Sequence, residues 1–200
     1  MIERIGVISD PRGCWPAPRH GPVWHVILML VLVMAYTPAR AAASDSAEQQ
    51  SLEYKVKAAF LLNFTKFIEW PASEASHSGL PFNICILGSD PFGPALDQIV
   101  QGETVDGRKL VVERIQREGL KSCQILYLGK SEKDVREILS VPVPGLLTVG
   151  EGESFIRDGG MIAFVIENRR VRFYVNLGVA RSAALQLSSK LLSVAKSVAN

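Results

Sequence analysis

The sequence has no hydrophobic run long enough to cross a bilayer. The longest apolar segment, Val26–Met34, has about ten residues, whereas a spanning helix needs about twenty. Small residues follow this segment up to Ala43, as they do at signal peptidase sites. We therefore expect residues 1–43 to be a signal peptide that is cleaved after Ala41 or Ala43. The alternative is an uncleaved membrane anchor, which Pro38 disfavours because it interrupts the run.

Neither sign of charge is in excess beyond that segment. Residues 1–43 hold four of the 22 Lys and Arg residues and two of the 20 Asp and Glu residues, which leaves 18 of each in residues 44–200. Nucleic acids and anionic membrane surfaces attract basic proteins. The balance argues against both, and we expect a protein or small-molecule partner. The length of residues 44–200 is enough for one domain with a hydrophobic core.

Histidine is scarce, with three residues in the whole chain. His20 and His25 lie in the predicted signal peptide, and His77 lies in a polar stretch that is typical of a loop. A catalytic triad, a His-Cys dyad or a histidine zinc site needs an imidazole that surrounding structure holds in place. The sequence therefore predicts a protein that is not an enzyme and that has no metal or cofactor.

Cysteine is scarce as well. Cys14 lies in the predicted signal peptide, so the exported chain keeps Cys85 and Cys123, each near the start of an apolar, strand-like run. In an oxidising compartment such a pair can form a disulfide, which would stabilise the fold by about 3–4 kcal/mol. The alternative is two separate buried thiols.

The start of the exported part predicts an amphipathic helix that ends before Pro71. One stripe at helical spacing consists of Leu52, Val56, Phe60, Asn63 and Phe67, and Leu61, Phe64 and Ile68 widen the apolar surface. We expect this helix to be covered on more than one side. Asn63 is then a clamp on a neighbouring backbone or a contact for a ligand or partner. Trp70, at the end of the helix, is expected to anchor it or to belong to a partner surface.

Strand and helix patterns alternate after this helix. Apolar runs at residues 82–88, 109–115, 123–129 and 146–150 predict strands, and the segments up to Val100 and at residues 132–139 predict helices. The alternation indicates an α/β fold: a single domain with a mostly parallel sheet that is flanked by helices.

The pattern changes near the C-terminus. Residues 160–176 predict a β-hairpin with one polar face, which carries Arg170, Arg172, Tyr174 and Asn176. Asn176 can cap a short helix that runs to Ala184. Ser188 or Ser189 can cap a second helix, at residues 190–198. The C-terminal part is therefore expected to consist of a hairpin followed by helices.

Four further features carry residue types that occur in binding or catalytic sites. Gly88–Gly93 lies where a doubly wound fold places a phosphate, but it lacks the glycine spacing or lysine of known phosphate loops, which favours a structural turn. Gly150–Ser154 carries two glutamates. They could form a carboxylate pair, bind calcium or belong to a charged loop, and the charged loop is favoured. The basic cluster Arg169–Arg172 is typical of a solvated hairpin tip. Arg181 is an isolated cation that needs a carboxylate or backbone carbonyls within the fold, or a carboxylate on a partner.

Two long stretches together resemble the YfiR-like periplasmic repressor family. They are Lys57–Pro71 and Val171–Leu192, and the strand-like runs between them occur in the order expected for the family. The resemblance covers nearly all of residues 44–200, and Cys85 and Cys123 match a family cysteine pair. A second pair that some members carry is absent here, so at most one bridge is implied.

The resemblance implies a function without chemistry. Members are small periplasmic α/β proteins that inhibit a membrane-bound diguanylate cyclase by binding its periplasmic sensor region, and an outer-membrane lipoprotein removes them. We expect this chain to be periplasmic, to repress an inner-membrane diguanylate cyclase or a related sensor kinase, and to lower cyclic di-GMP signalling and biofilm formation. An outer-membrane lipoprotein and a second copy of the chain are further expected partners. The alternative is a periplasmic small-molecule sensor with a site near Gly88, Gly129 and Gly150.

Overall fold

The second strand of the fold is apolar except for Asn83 because both of its faces are covered. This strand, Phe82–Leu87, lies in the middle of an eight-stranded sheet, and all six of its residues are buried. The computed structural model describes residues 39–71 and 79–200, with side chains from Ser46 onward. Most of the predicted signal peptide and the loop with His77 lie outside the described residues. Within the described residues, no helix is long and apolar enough to span a membrane.

Residues 46–200 form one compact unit. Its helices are α1 (Ala39–Phe67, which begins before the unit), α2 (Pro94–Val100), α3 (Val135–Leu139), α4 (Glu153–Arg157), α5 (Leu177–Ser182) and α6 (Ser189–Val194), with a 3-10 turn at Arg117–Ser122. Its strands are β1 (Ile68–Glu69), β2 (Phe82–Leu87), β3 (Thr104–Val105), β4 (Arg108–Ile115), β5 (Ile125–Leu128), β6 (Leu147–Glu151), β7 (Ile162–Glu167), β8 (Arg170–Asn176), β9 (Gln186–Leu187) and β10 (Ser197–Ala199).

The main sheet has the strand order β10-β8-β7-β6-β5-β2-β4-β3. The five neighbouring strands β4, β2, β5, β6 and β7 run parallel to one another. At the two ends of this set, β3 pairs antiparallel to β4, and β8 pairs antiparallel to β7. The α/β class, the mostly parallel sheet and the C-terminal hairpin are therefore confirmed. The chain passes from β2 to β4 on one side and then to β5 on the other, so the order in which strands are added reverses between β2 and β5.

Alternate residues of the central strands enter two separate cores. Ile84 and Ile86 of β2 belong to the larger core, which α1 covers, whereas Cys85 and Leu87 belong to the smaller core beneath α3 and α4. We call these two sides of the sheet the α1 face and the α4 face. Helices on both faces explain why the strands read as continuous apolar runs.

The structure corrects the predicted orientation of α1. Leu52, Val56 and Phe67 are 62%, 38% and 37% exposed, and Asn63 is exposed too. Phe60 of the predicted stripe does pack against the core. The fully buried stripe, however, consists of Tyr54, Ala58, Leu61, Phe64 and Ile68, of which the last three were predicted to widen the apolar surface. Both stripes have helical spacing, so periodicity alone could not tell which of them the sheet covers. The helix also ends at Phe67, because Ile68 and Glu69 pair with Leu187 and Gln186 as a short strand.

The predicted C-terminal helix is too long by several residues. Helix α6 ends at Val194, and Ser197–Ala199 forms β10, which pairs parallel to β8 at the edge of the sheet. The backbone amide of Lys196 already donates to the carbonyl of Phe173 (2.8 Å). Hydrogen bonding to an open strand edge therefore prevails over local helix propensity here.

Candidate functional site

The carboxyl ends of β5 and β6 hold a network of charged and phenolic groups. The ammonium group of Lys57, which is 1% exposed, donates to Glu53 (2.5 Å) and to Glu151 (2.9 Å). Glu151 also accepts from the hydroxyl of Tyr127 (2.6 Å) and from Lys130 (3.0 Å). The two lysines balance the two glutamates. The network joins α1 to the carboxyl edge of the sheet at a buried position.

The network shifts the pKa values of its members. Burial alone would raise the pKa of Glu151, but hydrogen bonds from Tyr127 and Lys57 outweigh it and leave that pKa below its ordinary value. The pKa of Tyr127 is raised, first by burial and then by the charge of Glu151. The bond to Glu151 raises the pKa of Lys130. At neutral pH, Glu151 is therefore ionised and Tyr127 remains a hydrogen-bond donor.

These groups are bonded to one another, which makes the network a structural tie. Lys57, Lys130 and Tyr127 all bond to Glu151. Tyr127 also has no exposed surface from which it could reach a substrate. In the part of the chain that the structure describes, no group of three or more His, Cys, Asp or Glu side chains could hold a metal ion. Sequence reasoning missed this network, because a lysine on the buried stripe of a helix resembles a solvated residue until its partners are known.

The loops after β2 and β5 meet at the point where the strand order reverses. Ligands of α/β proteins usually bind at such a point. The hydroxyl of Ser131 accepts from the amide of Ser89 (2.7 Å), and a Cβ atom at Gly129 would lie 2.3 Å from the carbonyl oxygen of Ser89. Gly129 is therefore required by the close approach of the two loops.

The turn before α2 is filled by the side chains of the chain itself. The carboxylate of Asp90 accepts from the amides of Phe92 (2.8 Å) and Gly93 (3.2 Å), the groups to which a bound phosphate would have to bond. Arg114 bonds Asp90 (3.0 Å) and Asp97 (2.6 Å) in turn. The segment Gly88–Gly93 is accordingly a structural turn, as the sequence favoured.

Two clefts adjoin this edge of the sheet. One, of about 570 Å³, lies beside β2 and β4 and is lined by residues that include Gly88, Arg114 and Glu118. The other, of about 220 Å³, lies beside β5 and β6 and includes Lys130, Glu151 and Ser154. They are the places near Gly88, Gly129 and Gly150 where the small-molecule alternative would put its ligand.

The cysteine pair lies on the α4 face, at the opposite end of the sheet. Cys85 and Cys123 form a disulfide with a Cα–Cα distance of 5.8 Å, and both are buried. The bridge joins β2 to the residue that leads into its neighbour β5. The predicted disulfide is confirmed, and two separate thiols are excluded.

The remaining predicted site residues lie apart from one another. Asn176 and Ser188 accept from the amides of Val179 (3.1 Å) and Leu191 (3.3 Å), so both are helix caps. Ser189 is the exposed first residue of α6 and not the cap. Arg181 is exposed, and it forms no ion pair with the described residues, which removes the buried-carboxylate explanation.

Trp70 has the anchoring role that the sequence offered, whereas Asn63 is not a clamp. The ring of Trp70 packs edge-on against Phe82, with centroids 5.0 Å apart, so the side chain does anchor the end of α1. Its buried Nε1 atom, however, has no hydrogen-bond acceptor among the described residues. Asn63 is exposed, and it clamps no neighbouring backbone in the described part of the chain.

A basic surface on the polar side of β8 was not identified from the sequence. Because alternate residues share a face, Arg170, Arg172 and Tyr174 lie together on the α4 face, and Tyr174 lines a cleft with Arg157 of α4. Lys196 lies 5.2 Å from the centre of the Tyr174 ring. We call these five residues the β8 basic face. The sequence placed the arginines at a hairpin tip. It could not show that Arg157 and Lys196 extend this basic surface, because their position beside β8 depends on tertiary packing.

The comparisons with known proteins give one family. No curated protein matches the chain. A solved structure, described as the ABC domain in complex with L-Trp from Streptococcus pneumonia, is similar at 11% identity and a TM-score of 0.42, over 58% of this chain and 55% of that one. The YfiR/HmsC-like family matches residues 54–196, which extend from α1 to the residue before β10. On that match over most of its length, the chain belongs to the YfiR/HmsC-like family.

Proposed function

We propose that this chain is a periplasmic regulatory protein that binds and represses a membrane-bound diguanylate cyclase or a related sensor protein. The observation that carries the proposal is the family match over residues 54–196. The family is regulatory and non-catalytic. Repression by this chain would lower the cyclic di-GMP level and the formation of biofilm matrix.

The structure supports this proposal through the chemistry of its polar groups. The carboxyl edge of the sheet, where α/β enzymes place their reactive side chains, carries acids and bases that are bonded to one another. The exposed features are of the kind that contacts other proteins: an apolar stripe on α1 and the β8 basic face.

Deletion of the gene tests the direction of the effect. We expect the intracellular cyclic di-GMP level and biofilm matrix to rise, since an inhibitor of the synthase has been removed. Expression of the full chain should restore the original level. The matched control is the same chain without residues 1–43, which should fail to restore it because it stays in the cytoplasm. An unchanged cyclic di-GMP level in the deletion strain, under conditions where the chain is produced, would contradict the proposal.

Capture of the partner tests its identity. The full chain with a C-terminal tag, purified from solubilised membranes after cross-linking, should retain an inner-membrane protein that has a periplasmic sensor region. An outer-membrane lipoprotein is expected as a second captured protein. Capture of neither, with the chain present in the periplasm, would oppose both partners.

The small-molecule sensor remains a second candidate because of the cleft of about 570 Å³ beside β2 and β4. This volume falls within the range of about 300–1,000 Å³ that is typical of ligand sites. A metabolite that binds there should raise the melting temperature of the wild-type protein. Gln116→Trp should abolish the increase, because Gln116 lines this cleft and a larger side chain there would occupy part of it.

A further inference from the structure

The described arginines differ in whether a carboxylate binds them. Arg114, Arg117 and Arg136 each contact one or more carboxylates at 2.6 to 2.9 Å. Arg157, Arg170 and Arg172 form no ion pair with any residue that the structure describes. These three arginines lie on one surface, the β8 basic face, whereas Arg169 and Arg181, which also form no ion pair with the described residues, lie outside it.

The acidic residues near this surface balance only part of its positive charge. Glu153 accepts from the hydroxyl of Tyr174 (2.7 Å), and Glu167 pairs with Lys196 (2.9 Å). Arg170 and Arg157 are exposed, whereas the Nε atom of Arg172 is buried and has no acceptor among the described residues. Since residues 44–200 carry equal numbers of acidic and basic side chains, this excess of positive charge is local.

A concave apolar patch lies within the same surface. Helix α4, β8 and β10 enclose a cleft of about 250 Å³, with Ile156, Val175 and Ala199 as its apolar lining and Arg157 at its edge. A cleft of this size is too small for most cofactors, but it can receive one large apolar side chain. Cations around an apolar pocket form the usual arrangement for binding a short protein segment that is acidic and carries one hydrophobic anchor.

We propose that the β8 basic face binds an acidic segment of a partner protein and that one apolar side chain of this segment enters the cleft. The inference rests on the proposed function for the partner's identity, the sensor region of the membrane protein. Charge complementarity selects an acidic occupant, and the concave apolar pocket favours a protein segment over the headgroups of an anionic membrane, which would offer no side chain to fill it.

A binding assay with defined probes tests this surface. The probe is a fluorescent decapeptide of Asp and Glu with one central Phe, measured by anisotropy on the chain that starts at Ser44. Companion probes are the same peptide with Gly in place of Phe, a Lys-rich version, and vesicles that contain an anionic phospholipid. We expect saturable binding of the Phe-containing acidic peptide, weaker binding of its Gly version, and no binding of the Lys-rich peptide.

Two double variants make the test specific. Arg157→Glu with Arg170→Glu reverses two exposed cations and should weaken peptide binding about tenfold, which corresponds to about 1.4 kcal/mol. Lys109→Glu with Lys121→Glu makes the same change of net charge at exposed sites elsewhere and should leave the affinity within about twofold. Equal melting temperatures of both variants and wild type establish that the comparison concerns binding.

The possible outcomes separate this inference from the proposed function. Equal affinities of wild type and the Arg157/Arg170 variant, or an equal loss in both double variants, would overturn the inference. Preferential binding of the vesicles would overturn it in favour of a membrane surface. If deletion of the gene raises cyclic di-GMP and the Arg157/Arg170 variant still represses fully, the inference fails while the proposed function stands. If peptide binding behaves as expected but deletion of the gene leaves cyclic di-GMP unchanged, the proposed function fails while the acidic-segment binding surface stands.

Discussion

Lys57 is the residue on which the attachment of α1 to the sheet edge depends most. Its ammonium group is removed from water and is compensated by Glu53 and Glu151, and it lies 4.4 Å from the centre of the Tyr54 ring. A buried charge of this kind contributes little when fully paired but leaves a large penalty when a partner is removed. The residue therefore fixes the position of α1 more than it adds net stability.

Glu151→Gln should change how stability depends on pH. The pKa of Glu151 in the folded protein lies below its ordinary value of 4.5, so its ionised form stabilises the fold. That contribution is complete above the unfolded pKa and is lost as the pH falls through the folded pKa. We expect Glu151→Gln to be less stable than wild type by about 3 kcal/mol at pH 7, because Lys57 loses its buried partner.

Urea denaturation at pH 7 and at pH 3 measures this effect. The difference between Glu151→Gln and wild type should shrink at the lower pH. The matched control is Glu118→Gln, at an exposed glutamate that forms no ion pair with the described residues, and it should follow the wild-type curve at both values. A constant difference across pH would show that the carboxylate charge is not what stabilises this site.

Removal of the Cys85–Cys123 bridge should destabilise the fold. The bridge closes a loop with a sequence separation of 38, for which the chain-entropy relation gives about 4 kcal/mol. We expect the urea midpoint to fall for Cys85→Ala with Cys123→Ala, and dithiothreitol to lower the wild-type midpoint to the same value. Thiol labelling of denatured, unreduced protein from the periplasm should detect no free cysteine. Two labelled thiols there would contradict a structural bridge.

Helix α1 illustrates how an element with two apolar stripes is oriented by its surroundings. The aromatic side chains of Phe164 and Phe173 lie 5.9 Å and 5.5 Å from Phe64, measured between ring centroids, and so they hold one stripe against the sheet. Leu52, Val56 and Phe67 of the other stripe are exposed, although Phe60 of that stripe packs against Phe173. We predict that the exposed part of this stripe is a contact surface, and the expected homodimer is one assembly that would cover it.

Alanine substitutions on the two stripes should separate their roles. Leu61→Ala creates a cavity at a fully buried site and should cost about 2–5 kcal/mol. Val56→Ala, five residues earlier on the same helix, should change stability by less than about 0.5 kcal/mol, since the side chain is exposed. Thermal unfolding of both variants measures the contrast. Similar losses would mean that the stripe with Val56 is also covered in solution, and light scattering would then show whether a second copy covers it.

At the scale of the whole molecule, we predict that the chain from Ser44 to Asn200 folds without the residues before it. Residues 46–200 form one compact unit with its own two-sided sheet, so urea should unfold it in one cooperative transition. Circular dichroism and tryptophan fluorescence should report the same midpoint. Two separate transitions would contradict a single cooperative domain. N-terminal sequencing of exported protein should begin at Ala42 or Ser44.

The sequence by itself determined the α/β class and the positions of most strands. The runs at residues 82–87 and 125–128 are almost entirely apolar because they are buried on both faces, and that property is visible in the sequence alone. The cap at Asn176 was likewise predictable, because a cap bonds only to an amide three residues away. The prediction of the disulfide needed one further expectation, that the chain is exported to an oxidising compartment.

Only the tertiary structure decided which stripe of α1 is buried, where the C-terminal helix ends and which charges are paired. Each of these outcomes depends on a surface that lies far away in the chain: the aromatic side chains of β7 and β8 for α1, the open edge of β8 for β10, and Glu151 for Lys57. Local patterns list the groups that can interact, but desolvation and hydrogen bonding between distant segments choose among them. The β8 basic face belongs to this second class, since Arg157 and Lys196 join β8 only when the sheet is formed.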